Sequence, residues 1–297
     1  MAGRTIVVGT GFLGLAVVRA LQQAGDPPLH TFRRNPILPG SIRFDLFTET
    51  LAAAVALSEI DTLIFTARVE DAPDSPHLVA AMHSLFHVCR KMRIVYLSSD
   101  AVFDGRKGMY VEADSPNPLT LYARNKKACE DILMDTGNDF CIIRPSYVYG
   151  YSCGRLDPRL AQARALLRKG CQFGRFVNMY KSPVEVNQLA RIVGRASRSP
   201  FQGILHAGGE RMSVHDFFKK SLTSMREDTH RLVPERIPPN APPEFLADTS
   251  LDSRLLADTF GERPVQVQDA FSNFIESRNE LQGRFRILAS GRATEGP

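Results

Sequence analysis

Thr5-Ile6-Val7-Val8-Gly9-Thr10-Gly11-Phe12-Leu13-Gly14-Leu15-Ala16-Val17-Val18-Arg19-Ala20-Leu21 decides the fold. The residues before Gly9 form a short apolar, β-branched run of the kind that makes a buried strand. Those after Gly14 have the apolar spacing of a helix. Between them stands G-x-G-x-x-G. Strand, glycine turn and helix in that order open a βαβ unit, and this context makes a common glycine pattern a dinucleotide signature. Without a Cβ the glycines let the backbone approach a pyrophosphate, which is held by amides at the positive end of the helix.

The second strand, Leu29-His30-Thr31-Phe32, ends in Arg33-Arg34. A fold that prefers the unphosphorylated dinucleotide places a carboxylate there, whereas arginine suits a ribose 2′-phosphate. Further strands are expected at Ile42-Arg43-Phe44-Asp45-Leu46 and at Thr62-Leu63-Ile64-Phe65, the latter leading into Thr66-Ala67-Arg68. Next comes a strand beginning at Val95 that runs into Ser98-Ser99-Asp100, and then Tyr122-Ala123-Arg124-Asn125-Lys126. In a helix, Tyr122 and Lys126 share one face a turn apart. An ammonium beside a phenol favours the phenolate, and so brings the tyrosine towards a pKa useful for proton transfer.

Ser99 with Tyr122-x-x-x-Lys126 resembles the catalytic triad of the short-chain dehydrogenase/reductases. The run from Leu97 to Gly105, Tyr110-x-Glu112-x-Asp114, Pro118 and Tyr122 is similar to one extended-type branch. That branch holds the dTDP-4-dehydrorhamnose reductases and the related regulatory subunit of methionine adenosyltransferase. The resemblance covers roughly residues 4–275 and is strongest over 95–150.

It implies an α/β fold: a doubly wound parallel sheet of Rossmann type with a smaller C-terminal α/β substrate-binding lobe. Residues 1–150 would form the dinucleotide-binding domain, with 178–208 returning to it. Residues 151–177 and 209–280 would form the lobe, and the polar end, 289–297, a disordered tail. The implied activity is reduction of a ketone on a nucleotide-activated keto-deoxysugar by NADPH. Ser99, Tyr122 and Lys126 would be catalytic, with Tyr122 as general acid. Cofactor contacts would come from Gly9, Thr10, Gly11, Phe12, Leu13, Gly14, Arg33, Arg34, Asp45, Leu46, Thr66, Ala67, Arg68, Tyr122, Lys126 and Pro145. Substrate contacts would come from Ser99, Asp100, Val102, Phe103, Tyr147 and Lys181, with Tyr147 either lying over the sugar or packing.

The chain departs from the branch at several points. Val8 stands where the extended pattern has its first glycine. No asparagine occurs between Asn35 and Asn117, although many members use one there to hold a relay water. Ala16 occupies the position of a glutamate that helps bridge some bacterial dimers through a metal, so no metal-bridged dimer is expected. A homodimer through the Tyr122 helix and its neighbour is an open possibility, because Leu78, Met82, Leu85 and Phe86 suit either an interface or the sheet. A dehydratase needs a second carboxylate where Ala101 stands. Two other readings stay open: a sugar-nucleotide epimerase with tightly held NAD, and a non-catalytic NADP-binding regulatory subunit.

Composition agrees with this class. The 297 residues, 43% hydrophobic and 23% charged, suffice for a full core, and the net charge of +5 is spread among carboxylates. That pattern favours phosphate-bearing small molecules over nucleic acid. No apolar run approaches the roughly 20 residues of a membrane span, and a cytoplasmic location is expected. The five cysteines lack metal or disulfide spacing and are expected to be buried. His83 and His87 are expected on a helix surface.

Overall fold

The computed structural model describes residues 4–68, 75–242, 245–272 and 274. Seven parallel strands form the central sheet. In chain order they are β1 (Arg4–Val8), β2 (Leu29–Phe32), β3 (Ile42–Arg43), β4 (Ile60–Phe65), β5 (Arg93–Leu97), β6 (Asp139–Pro145) and a seventh strand, Gly203–Ala207. Their spatial order is the seventh strand, β6, β5, β4, β1, β2, β3. The order reverses beside β1, which pairs with β2 on one side and β4 on the other. A crevice opens at the carboxyl ends of the strands at such a switch point.

Helices α1 (Phe12–Gln23) and α6 (Val186–Ala196) cover one face of the sheet, and α3 (Ser75–Val88) and α4 (Leu121–Asp135) the other. A shorter helix, α2 (Leu51–Ala54), sits beside α3. On the first face Val17, Val18 and Leu21 pack with Leu189, Ile192 and Val193 over Val7, Ile64 and Val95. On the second, Leu78, Met82, Leu85 and Phe86 pack on Leu63, Phe65 and Tyr96. Those α3 positions therefore belong to the core, and His83 and His87 lie exposed on the opposite side. The strands read as continuous apolar runs because both faces are covered.

A second core lies beyond the carboxyl ends of the strands. It joins Tyr149, Leu160 of α5 (Pro158–Arg168), Phe217, Phe218 and Leu222 of α7 (Val214–Ser224), and Phe271. Ser213 caps α7 as expected, accepting from the Asp216 amide at 3.0 Å. The last helix, α8 (Arg254–Phe260), returns to pack near the seventh strand. The expectation for the cysteines needs correction at two positions: Cys89, Cys129 and Cys141 are buried, whereas Cys153 is half-buried and Cys171 exposed. No helix among the described residues is long and apolar enough to cross a membrane. The expected tail, 289–297, lies outside the described residues.

Candidate active site

The glycine turn is shaped by three different demands. Gly9 has φ +96°, and a Cβ there would lie 2.7 Å from the Ala67 Cα. Gly14 lets α1 approach β1, since its Cβ would stand 1.9 Å from the Gly9 carbonyl oxygen. Gly11 is different: among the described residues a Cβ would meet nothing within 4 Å. It caps α1 without any side-chain hydrogen bond and with no acidic residue in the first turn. The helix thus presents amides to open space, the arrangement that receives a phosphate.

A groove of about 320 Å³ runs from this turn along the ends of β1, β2 and β4. Gly9, Thr10, Gly11, Arg33, Arg34, Asp45, Leu46, Thr66, Ala67 and Arg68 line it, ten of the expected cofactor residues in one place. Thr10 is buried and braces the turn, its amide and hydroxyl both bonding the Thr31 carbonyl at 3.1 Å. Thr66 donates to the Gly9 carbonyl at 2.6 Å. Arg33 is held by Asp45 at 3.1 Å and lies 5.3 Å from the Phe47 ring centroid. Arg34 has no ion pair among the described residues. Phe12 and Leu13 are half-buried and pack against the α1 face of the sheet core, while Pro145 is buried at the end of β6.

The triad residues come together from β5 and α4. Thr120 caps α4 through the Ala123 amide at 3.1 Å, which fixes where the helix starts. Tyr122 is half-buried, and the Lys126 Nζ lies 5.9 Å from its ring centroid. That ammonium is buried and donates to the Leu97 carbonyl at 2.8 Å, at the end of β5. Ser99 caps the turn Asp100–Val102, against which α4 packs. Its hydroxyl accepts from the Ala101 amide at 3.2 Å and donates to Asp100 Oδ1 at 3.2 Å.

Asp100 is the centre of a polar cluster. Its Oδ2 accepts from Lys181 at 3.0 Å, Thr249 at 2.6 Å and Ser146 at 3.1 Å, and Lys181 also donates to Thr249. Two expected substrate residues on the same turn need correction. Val102 and Phe103 are fully buried; Phe103 stacks on Tyr110 with centroids 4.2 Å apart, so these side chains hold the turn in shape and do not line a cleft. Tyr147 packs on Phe217, and Arg159 covers its ring at 3.4 Å. Its hydroxyl is buried without a hydrogen-bond partner among the described residues, and burial pushes its pKa up. Tyr147 as a whole is half-buried, and it shares the surface offered at this point with the exposed Arg159 guanidinium.

Sequence reasoning overlooked Arg159, Thr249, Ser146 and a buried ion pair below the triad. Glu130 and Arg144, both almost fully buried, bond at 2.7 and 3.0 Å, and Ser98 also donates to Glu130. A readable signal existed for Glu130: it follows Lys126 by one turn and so faces the core. Arg159 is fixed by Asp157 at 2.8 Å and by the Val148 carbonyl at 2.7 Å.

Residues 6–279 match the RmlD substrate binding domain. The chain belongs to that family. It is similar to the probable low-salt glycan biosynthesis reductase Agl14 of Haloferax volcanii, 30% identical over 154 residues, 47% of this chain and 51% of that one. Methionine adenosyltransferase 2 subunit beta of Danio rerio is 30% identical over 157 residues, 50% of this chain and 48% of that one. The chain thus spans about half the length of the curated relatives it matches. Among solved structures, the dTDP-4-dehydrorhamnose reductase of Bacillus anthracis in complex with NADP has a TM-score of 0.75 and 18% identity, covering 93% of this chain and all of its own. That likeness speaks for the RmlD-type Rossmann fold.

Proposed function

We propose that this RmlD-family chain is an NADPH-dependent reductase of a nucleotide-activated keto-deoxysugar. One observation carries the reading: Tyr122 and Lys126 stand a turn apart on a helix packed against the turn that Ser99 caps. Bound in the groove, a nicotinamide cofactor supplies the hydride that goes to the carbonyl carbon. Tyr122 gives its proton to the oxygen as negative charge develops there. Lys126, buried beside it, favours the phenolate left behind and meets the cofactor ribose. The α1 amides at Gly11 receive the pyrophosphate.

The phosphorylated cofactor is favoured because Asp45, the one carboxylate lining the groove among the described residues, is already engaged by Arg33, and Arg34 stands beside it. Dehydration is disfavoured because Asp100 spends its hydrogen bonds inside the protein and Ala101 offers no second carboxylate. The nucleotide-sugar class rests on family membership and on the Agl14 likeness. The deciding experiment is single-turnover NADPH oxidation with a panel of nucleotide keto-sugars, comparing the unmodified chain with Tyr122→Phe at matched cofactor occupancy. A fall of about 10²- to 10⁴-fold is expected. Equal rates would remove Tyr122 from the mechanism and the reductase assignment with it.

The likeness to methionine adenosyltransferase 2 subunit beta favours one second reading, a non-catalytic regulatory subunit. In that case Tyr122→Phe leaves the partner's activity unchanged.

A further inference from the structure

Lys181 is the only cation bonded to the Asp100 carboxylate among the described residues, and Asp100 is the residue that holds the hydroxyl of Ser99. The contributors come from separate parts of the chain: Ser99 and Asp100 follow β5, Ser146 follows β6, Lys181 lies just before α6, and Thr249 precedes α8. The cluster is closed at its back. Ser146 Oγ accepts from the Ser182 amide at 3.1 Å, and Ser182 Oγ donates to the Leu251 carbonyl at 3.3 Å. Asp100, Ser146 and Thr249 are all buried, and the Lys181 side chain is 18% exposed. Lys181 therefore directs its charge at a neighbouring carboxylate.

A buried carboxylate one hydrogen bond from Ser99 is, by itself, badly placed for a reduction. The carbonyl oxygen gains negative charge as the hydride arrives, and an uncompensated anion nearby opposes it. We propose that Lys181 is a positioning residue for the reaction: it neutralises Asp100, so that Asp100 can fix the Ser99 hydroxyl without setting an unopposed negative charge beside the forming alkoxide. Neither residue gives up or takes a proton in this role; the proton comes from Tyr122. The inference rests on the reductase reading above.

The other charged and titratable groups around Tyr122 stay the same in every variant needed. Among the described residues they include Lys126 on its own helix and Tyr96 on β5, which in turn neighbours Cys129 and Glu130, the partner of Arg144. Arg159, paired with Asp157, also faces the Asp100 charge and is likewise unchanged in every variant.

The test compares Lys181→Met, Asp100→Asn with Lys181→Met, and Lys181→Arg, all on the full chain. Lys181→Met should lower kcat about 10²-fold, in the range of a lost electrostatic contact at a reacting oxygen, with KM for NADPH unchanged. The double variant, which removes both charges, should recover most of that loss, and Lys181→Arg should stay near the unmodified rate. A double variant no faster than Lys181→Met, or a Lys181→Met that raises sugar KM with kcat intact, overturns the proposal. A second readout needs no substrate: phenolate absorbance of each chain minus that of its Tyr122→Phe counterpart. Ionisation of Tyr122 should move to higher pH in Lys181→Met and back in the double variant, and an unmoved titration refutes the role of Lys181. If the unmodified chain turns over no keto-sugar, the reductase reading fails while this titration still decides the charge pairing.

Discussion

The Nε of Arg33 donates to Asp45 Oδ2 at 3.1 Å, which makes one arginine of the pair a fixed wall of the groove and leaves Arg34 beside it. Burial pulls the Asp45 carboxyl up, but the Phe47 amide and the Arg33 guanidinium outweigh it and hold the group below its ordinary value. NADPH should bind more tightly than NADH. Arg34→Ala should cost NADPH about 1.5–3 kcal/mol, the worth of a hydrogen bond to a charged group, and leave NADH nearly unaffected. Arg33→Ala should shift preference further, because it also frees Asp45 for a ribose hydroxyl. Fluorescence titration gives the dissociation constants, and equal values for the two cofactors in the unmodified chain would contradict the 2′-phosphate reading.

Glu130 and Arg144 form a doubly bonded ion pair at almost no exposure, with Phe103 5.2 Å from the guanidinium. Glu130→Ala leaves a buried guanidinium without its counter-charge and should cost about 3–5 kcal/mol of stability. Glu130→Ala with Arg144→Met removes both charges, and should cost less than the sum of the single changes. Denaturant midpoints at pH 7 measure both, and strict additivity would mean that the pair is not coupled as its geometry implies.

His206 is fully buried, with Nδ1 2.9 Å from the Tyr110 carbonyl oxygen, and burial together with the Arg144 charge pushes its pKa down to about 4. In the unfolded chain the same ring titrates near 6.5. Between about pH 4 and 6.5 the unfolded state binds more protons, so stability rises with pH across that window. The contribution is fully present above about 6.5 and is lost as pH falls, by about 3 kcal/mol at pH 4. Urea unfolding at a series of pH values should show this slope, and His206→Asn should flatten it. Parallel curves for the two proteins would show that His206 is not the group responsible.

The glycine turn and the triad helix were legible because their information is local. Strand, turn and helix follow one another within β1 and α1, and Tyr122 and Lys126 meet through helical period alone. The Asp100 cluster was not legible in the same way. Its donors stand at 146, 181 and 249, and only the fold brings them to one carboxylate. Val102 and Phe103 show the opposite failure: they sit inside a motif, and the structure turns their side chains into the core beside Tyr110 and Leu251. Sequence alone allows Tyr147 two roles, and the residue that covers it, Arg159, lies in a stretch whose arginines look alike in sequence.

Gly11 and Gly14 are three residues apart, yet alanine should affect them in opposite ways. At Gly14 the new Cβ would stand 1.9 Å from the Gly9 carbonyl oxygen and 2.6 Å from Thr66 Oγ1, where backbone has to move. Gly14→Ala should therefore lose at least the roughly 1–3 kcal/mol of an overpacked core. At Gly11 the new methyl meets nothing within 4 Å among the described residues and the backbone is extended, at φ −70°, which alanine adopts freely. Gly11→Ala should stay within about 0.5 kcal/mol of the unmodified stability. That methyl would nonetheless occupy the space in front of the first amides of α1, where the pyrophosphate is proposed to sit. Loss of about 1.4 kcal/mol or more, a tenfold or larger rise in the NADPH dissociation constant, is expected. Thermal unfolding and cofactor titration on the same two variants separate the effects. A Gly11→Ala chain that binds NADPH as tightly as the unmodified one would place the cofactor elsewhere than at the start of α1.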